Sequence, residues 1–308
     1  MNSYVKIARI DHWFKNVFML PGTLIAAIFL ELPFSSFAGR LAIGLLSACL
    51  IASANYVMNE WLDAEFDRFH PVKKNRPSVS DRLNPSIVTA EYVLLLLAGI
   101  ALGGLVNGTF FFTTVFFATM GILYNAKPFR TKDKPYLDVL SESVNNPIRL
   151  ALGWLIVSDL KLPPSSLLVS YWMGGAFLMA VKRYAEYRFI GDADLASLYR
   201  KSFKAYNEKK LLVSAFFYSL TSAFFGGVFL IKYRIELLLS FPFLAGLFAW
   251  YLYIGMKPNS PVQHPERLYR ETLFIVYVIF VSILVNLLFV INLPFLAWFL
   301  KDAFITRP

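Results

Sequence analysis

Apolar runs close to the length needed to cross a bilayer, about 20 residues, recur along the whole 308-residue chain. Nine are legible, over residues 16–31, 41–61, 87–106, 108–124, 138–158, 165–187, 211–231, 236–255 and 273–292. The fourth is short and the fifth opens on polar residues. A water-soluble domain carries about 25% charged residues; here 16% are charged and 57% hydrophobic. The fold class expected is therefore all-α, a polytopic bundle of about nine transmembrane helices forming a single domain over 1–308. The first run follows Lys6, Arg9 and Lys15 as a signal peptide would. It shows no small-residue cleavage site and more spans follow, so it is read as a retained helix.

Charge is distributed unevenly between the loops. With nine spans, 23 of the 30 lysines and arginines fall on the side that carries the N-terminus, and six fall on the other. Arg149 lies within the fifth span. Lysine and arginine concentrate in cytoplasmic loops, so the chain is expected in the cell (inner) membrane, with its N-terminus cytoplasmic and its C-terminus external. The same asymmetry accounts for the net charge of +10 without nucleic acid as a partner. A single cysteine, Cys49, excludes an internal disulfide and a cysteine-built metal site. The two longest inner loops, about 187–210 and 62–85, mark the cytoplasmic surface as the place for chemistry.

Three polar constellations carry the candidate chemistry. In NYVMNEWLDAEFDRFHPVKKNRP, Asn55, Asn59, Asp63 and Asp67 recur every fourth residue. On a helix each such step rises about 6 Å and rotates only about 40°, so the four share one stripe. Carboxylate and amide oxygens are ligands of Mg²⁺, which typically takes one or two carboxylates and completes its shell with substrate phosphates. Asn59, Asp63 and Asp67 are thus the candidate metal ligands, and Lys73, Lys74 and Arg76 are suited to phosphate. The plainer alternative is a solvated helix end with i,i+4 charge pairs. In LDVLSESVNNPIRLALGW, Asp138, Glu142, Asn145 and Arg149 fall on one side of a helical wheel, deep in a span. Such charges face a cavity or one another; either donor binding or a structural Glu142–Arg149 pair is open. Pro147 is expected to kink this helix. The third constellation, AVKRYAEYRFIGDADLASLYRKSFKAY, places Lys182 and Glu186 on one face beside Arg183. Arg200 and Lys201 follow, with anionic lipid headgroups as an alternative partner for them. His70 reads as part of a His-Pro turn, and Asn286 as an interhelical hydrogen bond. His12 and His264 make no metal pattern.

The NxxxDxxxD stripe followed by basic residues and Arg-Pro resembles the first signature of the UbiA superfamily of intramembrane prenyltransferases. RIDHWFKN (Arg9, Trp13, Lys15, Asn16) resembles the RPxxWxKN opening of one branch, without its proline. YNAKPFRTKDKP resembles the family's tyrosine-and-lysine segment through Tyr124, Lys127 and Arg130. Conventional members place a second DxxxD after the sixth helix for a second Mg²⁺. Here Asp192 and Asp194 are two apart and share no helical face. KRYAE followed by RKSxxxY resembles instead the decaprenyl-phosphate phosphoribosyltransferase branch.

The resemblance implies a UbiA-like bundle with Mg²⁺ as cofactor. It also implies transfer of the 5-phosphoribosyl group of phosphoribosyl pyrophosphate (PRPP) to a polyprenyl phosphate, releasing diphosphate. Asp63, Asp67, Lys182, Arg183 and Glu186 would be catalytic. Lys15, Asn16, Lys73, Arg76, Tyr124, Lys127, Arg130, Asp138, Glu142, Arg149, Arg200 and Lys201 would bind substrate. A prenyltransferase using a prenyl diphosphate and a small or aromatic acceptor shares the first motif but is disfavoured by the missing second one. A transporter would share the topology without needing the metal stripe, and a scaffold would need neither.

Overall fold

A computed structural model describes residues 2–81, 83–263 and 265–299. Arg82, His264, Lys301 and Arg307, used above for charge or motif, lie outside the described residues. The chain opens with α1 (Ser3–Ile7) and a 3₁₀ stretch over Ile10–Met19. Then come α2 (Leu20–Leu30), α3 (Ala38–Asp67), α4 (Pro77–Ser80), α5 (Pro85–Val106) and α6 (Gly108–Asn125). The middle holds α7 (Leu137–Ser143), α8 (Asn145–Val157), α9 (Ser165–Ile190) and α10 (Ala193–Tyr199). α11 (Glu208–Tyr233), α12 (Phe241–Gly255), α13 (Thr272–Val290) and α14 (Pro294–Phe299) complete it.

Helices occupy all nine expected stretches, and among the described residues seven are long and apolar enough to cross a membrane. The α7–α8 stretch and α9 are the two that do not qualify. The fifth span is broken at Val144. Pro147 has no N–H to give to the carbonyl four residues back, which accounts for the interruption beside it. Elsewhere long helices leave apolar side chains outside: Leu94 is 68% exposed, Phe112 71%, Val213 68% and Leu273 74%. A surface of this kind is suited to lipid tails.

Inside a bilayer, helices cannot be driven together by the exclusion of water. They associate through close packing of small residues and interhelical hydrogen bonds. α2 and α8 illustrate this. A Cβ on Gly153 would lie 1.8 Å from the Met19 carbonyl oxygen, and one on Gly22 2.0 Å from that of Leu150. Thr23 Oγ1 donates to the Gly153 carbonyl across the same contact at 2.9 Å. α9 and α11 are tied by reciprocal bonds, Ser170 to the Ser222 carbonyl at 2.9 Å and Ser222 to that of Ser170 at 2.8 Å. α8 becomes the most enclosed element: every residue from Pro147 to Val157 is buried. Around it, the polar ends of α3, α6, α7 and α9 converge with the 193–206 segment.

Candidate active site

The stripe on α3 ends in a small cleft lined by Asp63, Phe66, Asp67, Arg130, Lys132, Asp133, Tyr199 and Arg200. Asp63 is contacted by Lys132 Nζ at 2.6 Å and Arg130 Nη2 at 2.8 Å. Asn59 Nδ2 donates to Asp63 at 3.2 Å and to Asn125 Oδ1 at 2.6 Å. Lys132 is bound by that same Asn125 oxygen at 2.7 Å. Asp67 is buried and paired with Arg76. The chain reaches Asp63 from α6 by turning sharply, with Arg130 in the left-handed region (φ 32°) and its guanidinium over Phe66. Burial, outweighing the carboxylate of Asp63 beside it, pushes the Lys132 ammonium down to about 8.

Arg200 enters the cleft from the C-terminal end of α10. Burial opposes its charge, yet the neighbouring Tyr124, Tyr199, Glu186 and Asp138 hold it well above the ordinary arginine value. Its nearest carboxylate oxygen, on Asp138, is 4.0 Å away. Its Nε and Nη1 are buried without a hydrogen-bond partner among the described residues. A buried polar group is normally satisfied, so this guanidinium presents open donors in a cleft that already holds three carboxylates, Asp63, Asp67 and Asp133. Lys201, at the rim, is half exposed and lies 3.7 Å from Asp133.

A second assembly surrounds Arg183, which is 1% exposed. Three carboxylates meet it: Glu142, Glu186 at 3.3 Å and Asp138 at 3.6 Å. Tyr124 donates to Glu142 at 2.7 Å. Asp138, fully buried, accepts from Ser202 at 2.9 Å and Tyr206 at 2.7 Å. Glu186 accepts from Lys73 at 2.5 Å and Tyr199 at 3.0 Å. Lys73 also lies over the Tyr199 ring, 4.5 Å from its centroid. The His70 ring accepts from the Val72 and Lys73 amides at 3.1 and 3.2 Å, holding the turn that delivers Lys73.

The two assemblies share Tyr199 and Arg200, so the structure brings together most of the residues expected from sequence. Lys127 is exposed and lies apart from the cleft lining. Glu142 pairs with Arg183, not with Arg149. Arg149 stands instead against Asn16 Oδ1 at 2.9 Å and over the Phe117 ring. Asp192 caps α10 through the amides of Asp194 and Leu195 at 2.8 and 2.9 Å. It therefore contributes no second metal stripe. Asn125, Lys132, Asp133 and Tyr199 were not named as site residues from sequence, and Ser202 and Tyr206 stood in the RKSxxxY motif without an assigned role. Their spacing gives no periodic signal, because each reaches the site from a turn or from a distant segment.

The hard oxygen donors on the α3 stripe fit one Mg²⁺ whose shell is completed by phosphate. Asn59 keeps its carbonyl oxygen free of hydrogen bonds among the described residues, and Asp63 and Asp67 lie on the same face. Among those residues no three His, Cys, Asp or Glu side chains converge into a full protein cage.

The model of the UbiA prenyltransferase family matches residues 19–274. The decaprenyl-phosphate phosphoribosyltransferase of Mycolicibacterium smegmatis is 30% identical over 217 residues. That match covers 68% of this chain but 64% of the relative, slightly under two thirds of its length. Nodulation protein NoeC of Azorhizobium caulinodans is 27% identical over 209 residues, 66% of this chain and 63% of that one. Among solved structures, a UbiA homologue from Archaeoglobus fulgidus bound to GPP and Mg²⁺ superposes with a TM-score of 0.68 at 19% identity. It covers 92% of this chain and 100% of its own. A digeranylgeranylglyceryl phosphate synthase gives 0.62 at 17% identity over 93% and 96% of the two chains.

Proposed function

The chain belongs to the UbiA prenyltransferase family, and we propose that it moves the 5-phosphoribosyl group of PRPP to a polyprenyl phosphate in the membrane. The single observation that carries this reading is Arg200. A buried guanidinium with open donors stands in the same cleft as Asp63 and Asp67. A donor whose only charge is a diphosphate needs the α3 stripe. One that carries a further phosphate needs a second cationic contact, and Arg200 supplies it. The names of the mycobacterial relatives point to the same donor.

Asn59, Asp63 and Asp67 would hold Mg²⁺, which when bound neutralises charge on the departing diphosphate. Arg130 and Lys132 stand beside Asp63 and Arg76 beside Asp67, so the same cations share that developing charge. The bond between the anomeric carbon and the diphosphate oxygen breaks, and its electron pair leaves with diphosphate. An oxygen of the lipid phosphate supplies the pair for the new bond to that carbon. The attacking oxygen is already anionic, so no protein base is required.

The test is product identity. Purified protein is incubated with polyprenyl phosphate, PRPP and Mg²⁺, and in parallel with geranyl diphosphate and an aromatic acceptor; lipids are then read by mass spectrometry. A phosphoribosylated lipid in the first mixture is expected. Product in the second mixture alone would return the chain to the prenyltransferase reading.

A further inference from the structure

Below the cleft lies another set of cations that the chemistry just described does not use. Arg149 sits in the wholly buried α8 and is 7% exposed. Its Nε donates to Asn16 Oδ1 at 2.9 Å, and its Nη1 reaches the Asn145 carbonyl at 3.5 Å. The Asn16 amide is oriented for this by its other end, which donates to Cys49 Sγ at 3.1 Å. The guanidinium lies 5.0 Å from the centroid of Phe117. Its titratable neighbours are Tyr56, Tyr171 and Cys49, none of them a carboxylate. Lys15 Nζ lies 5.6 Å from the centroid of that same Tyr56 ring. The charged groups nearest in effect to Lys182 are Glu142 first, then Lys15, Arg183 and Glu186, and neither carboxylate pairs with it directly. Among the described residues none of these three cations has a carboxylate oxygen within ion-pair distance. Every neighbouring buried cation, Arg76, Lys132 and Arg183 included, does.

Position along the helices separates this set from the cleft. Tyr56 precedes Asp63 by seven residues on α3, about 10 Å along the helix axis. Lys182 precedes Glu186 by one turn on α9. The set therefore lies deeper in the membrane, where a charge without a counter-ion is costly. Beside Lys15, Phe14 and Val17 are 47% and 52% exposed, an apolar surface at the edge of the same segment.

We infer that Lys15, Arg149 and Lys182 form the seat for the phosphate of the lipid acceptor, with Phe14 and Val17 leading its chain out into the bilayer. This rests on the reading of the acceptor as a polyprenyl phosphate. It separates the two substrates: the donor's phosphates meet Arg200 and the α3 stripe, and the acceptor's dianion supplies the charge that Arg149 lacks.

The experiment measures binding to the full chain in nanodiscs, with farnesyl phosphate, farnesol and inorganic phosphate as probes and PRPP titrated separately in Mg²⁺. Wild type is expected to bind farnesyl phosphate more tightly than either farnesol or inorganic phosphate. Arg149→Met and Lys182→Met are expected to weaken farnesyl phosphate about ten-fold or more, with no comparable change for PRPP. Arg149→Lys should recover part of the loss. Lys182 is only half-buried and makes no ion pair, so its variant remains informative if Arg149→Met does not fold. Loss of PRPP binding with farnesyl phosphate unaffected would overturn the assignment, as would equal binding of inorganic and farnesyl phosphate by wild type. Farnesyl phosphate binding that depends on Arg149, in a protein that ignores PRPP, would leave the seat standing and remove the donor reading instead.

Discussion

The α3 cleft and the Arg183 assembly are built from the same kinds of side chain, yet they differ in what is left over. Around Arg183, three carboxylates enclose one guanidinium, and Tyr124, Tyr199, Tyr206 and Ser202 take up further carboxylate oxygens; only its Nε, 3.6 Å from Asp138, is without a hydrogen bond among the described residues. In the cleft, Arg200 keeps two donors open, Nε and Nη1, and its nearest carboxylate oxygen is 4.0 Å away. A satisfied network rigidifies what it joins; an unsatisfied one waits for a ligand. On the function proposed above, the first set is a frame and the second a receptor, and residue type alone does not distinguish them.

Removing Arg183 is the severest way to test that division. Arg183→Met would leave Asp138, Glu142 and Glu186 facing one another in a buried site. Breaking a buried ion pair costs about 3–5 kcal/mol, so thermal unfolding in detergent should drop sharply and the yield of inserted protein should fall. Normal stability with selective loss of donor affinity would move Arg183 from frame to receptor.

Asp63→Asn and Asp67→Asn should behave in the opposite manner. Each is expected to lower turnover by about 10²–10³-fold, the scale for losing one group that stabilises developing charge, while unfolding temperature changes far less. EDTA should abolish wild-type turnover and added Mg²⁺ should restore it. Turnover that persists in excess EDTA would show that no metal takes part in the cleft.

The smallest effect concerns Asp192, which stands near the position where conventional relatives carry their second acidic motif. As a helix cap it is worth about 1 kcal/mol. Asp192→Ala should shift unfolding slightly and leave the Mg²⁺ concentration giving half-maximal rate unchanged. A marked change in that concentration would make Asp192 part of the receptor.

How much of this was legible follows from how each residue arrives. The α3 stripe could be read because a four-residue period on one helix fixes a face without any knowledge of neighbours. The bundle was legible because apolar length is a property of a segment taken alone. Lys132 reaches Asp63 through the turn at Arg130, and Ser202 and Tyr206 reach Asp138 across more than sixty residues; such encounters leave no periodic trace. Arg183 was expected to be catalytic from the resemblance, but its partners Asp138 and Glu142 come from α7, on another helix, and no spacing joins them to it. His70 was placed correctly in its turn, since the ring's bonds to Val72 and Lys73 are local.

The Arg183 knot also bears on how the chain sits in the membrane. The α7–α8 stretch and α9 are the two helical stretches that fail the test of length and apolarity, and they are the two this guanidinium joins. Taken singly, each would carry charge without a partner at the end of a spanning stretch, which is costly next to lipid. Taken together, Glu142 and Asp138 on one neutralise Arg183 on the other. The two stretches least apolar by themselves thus carry each other's counter-charge.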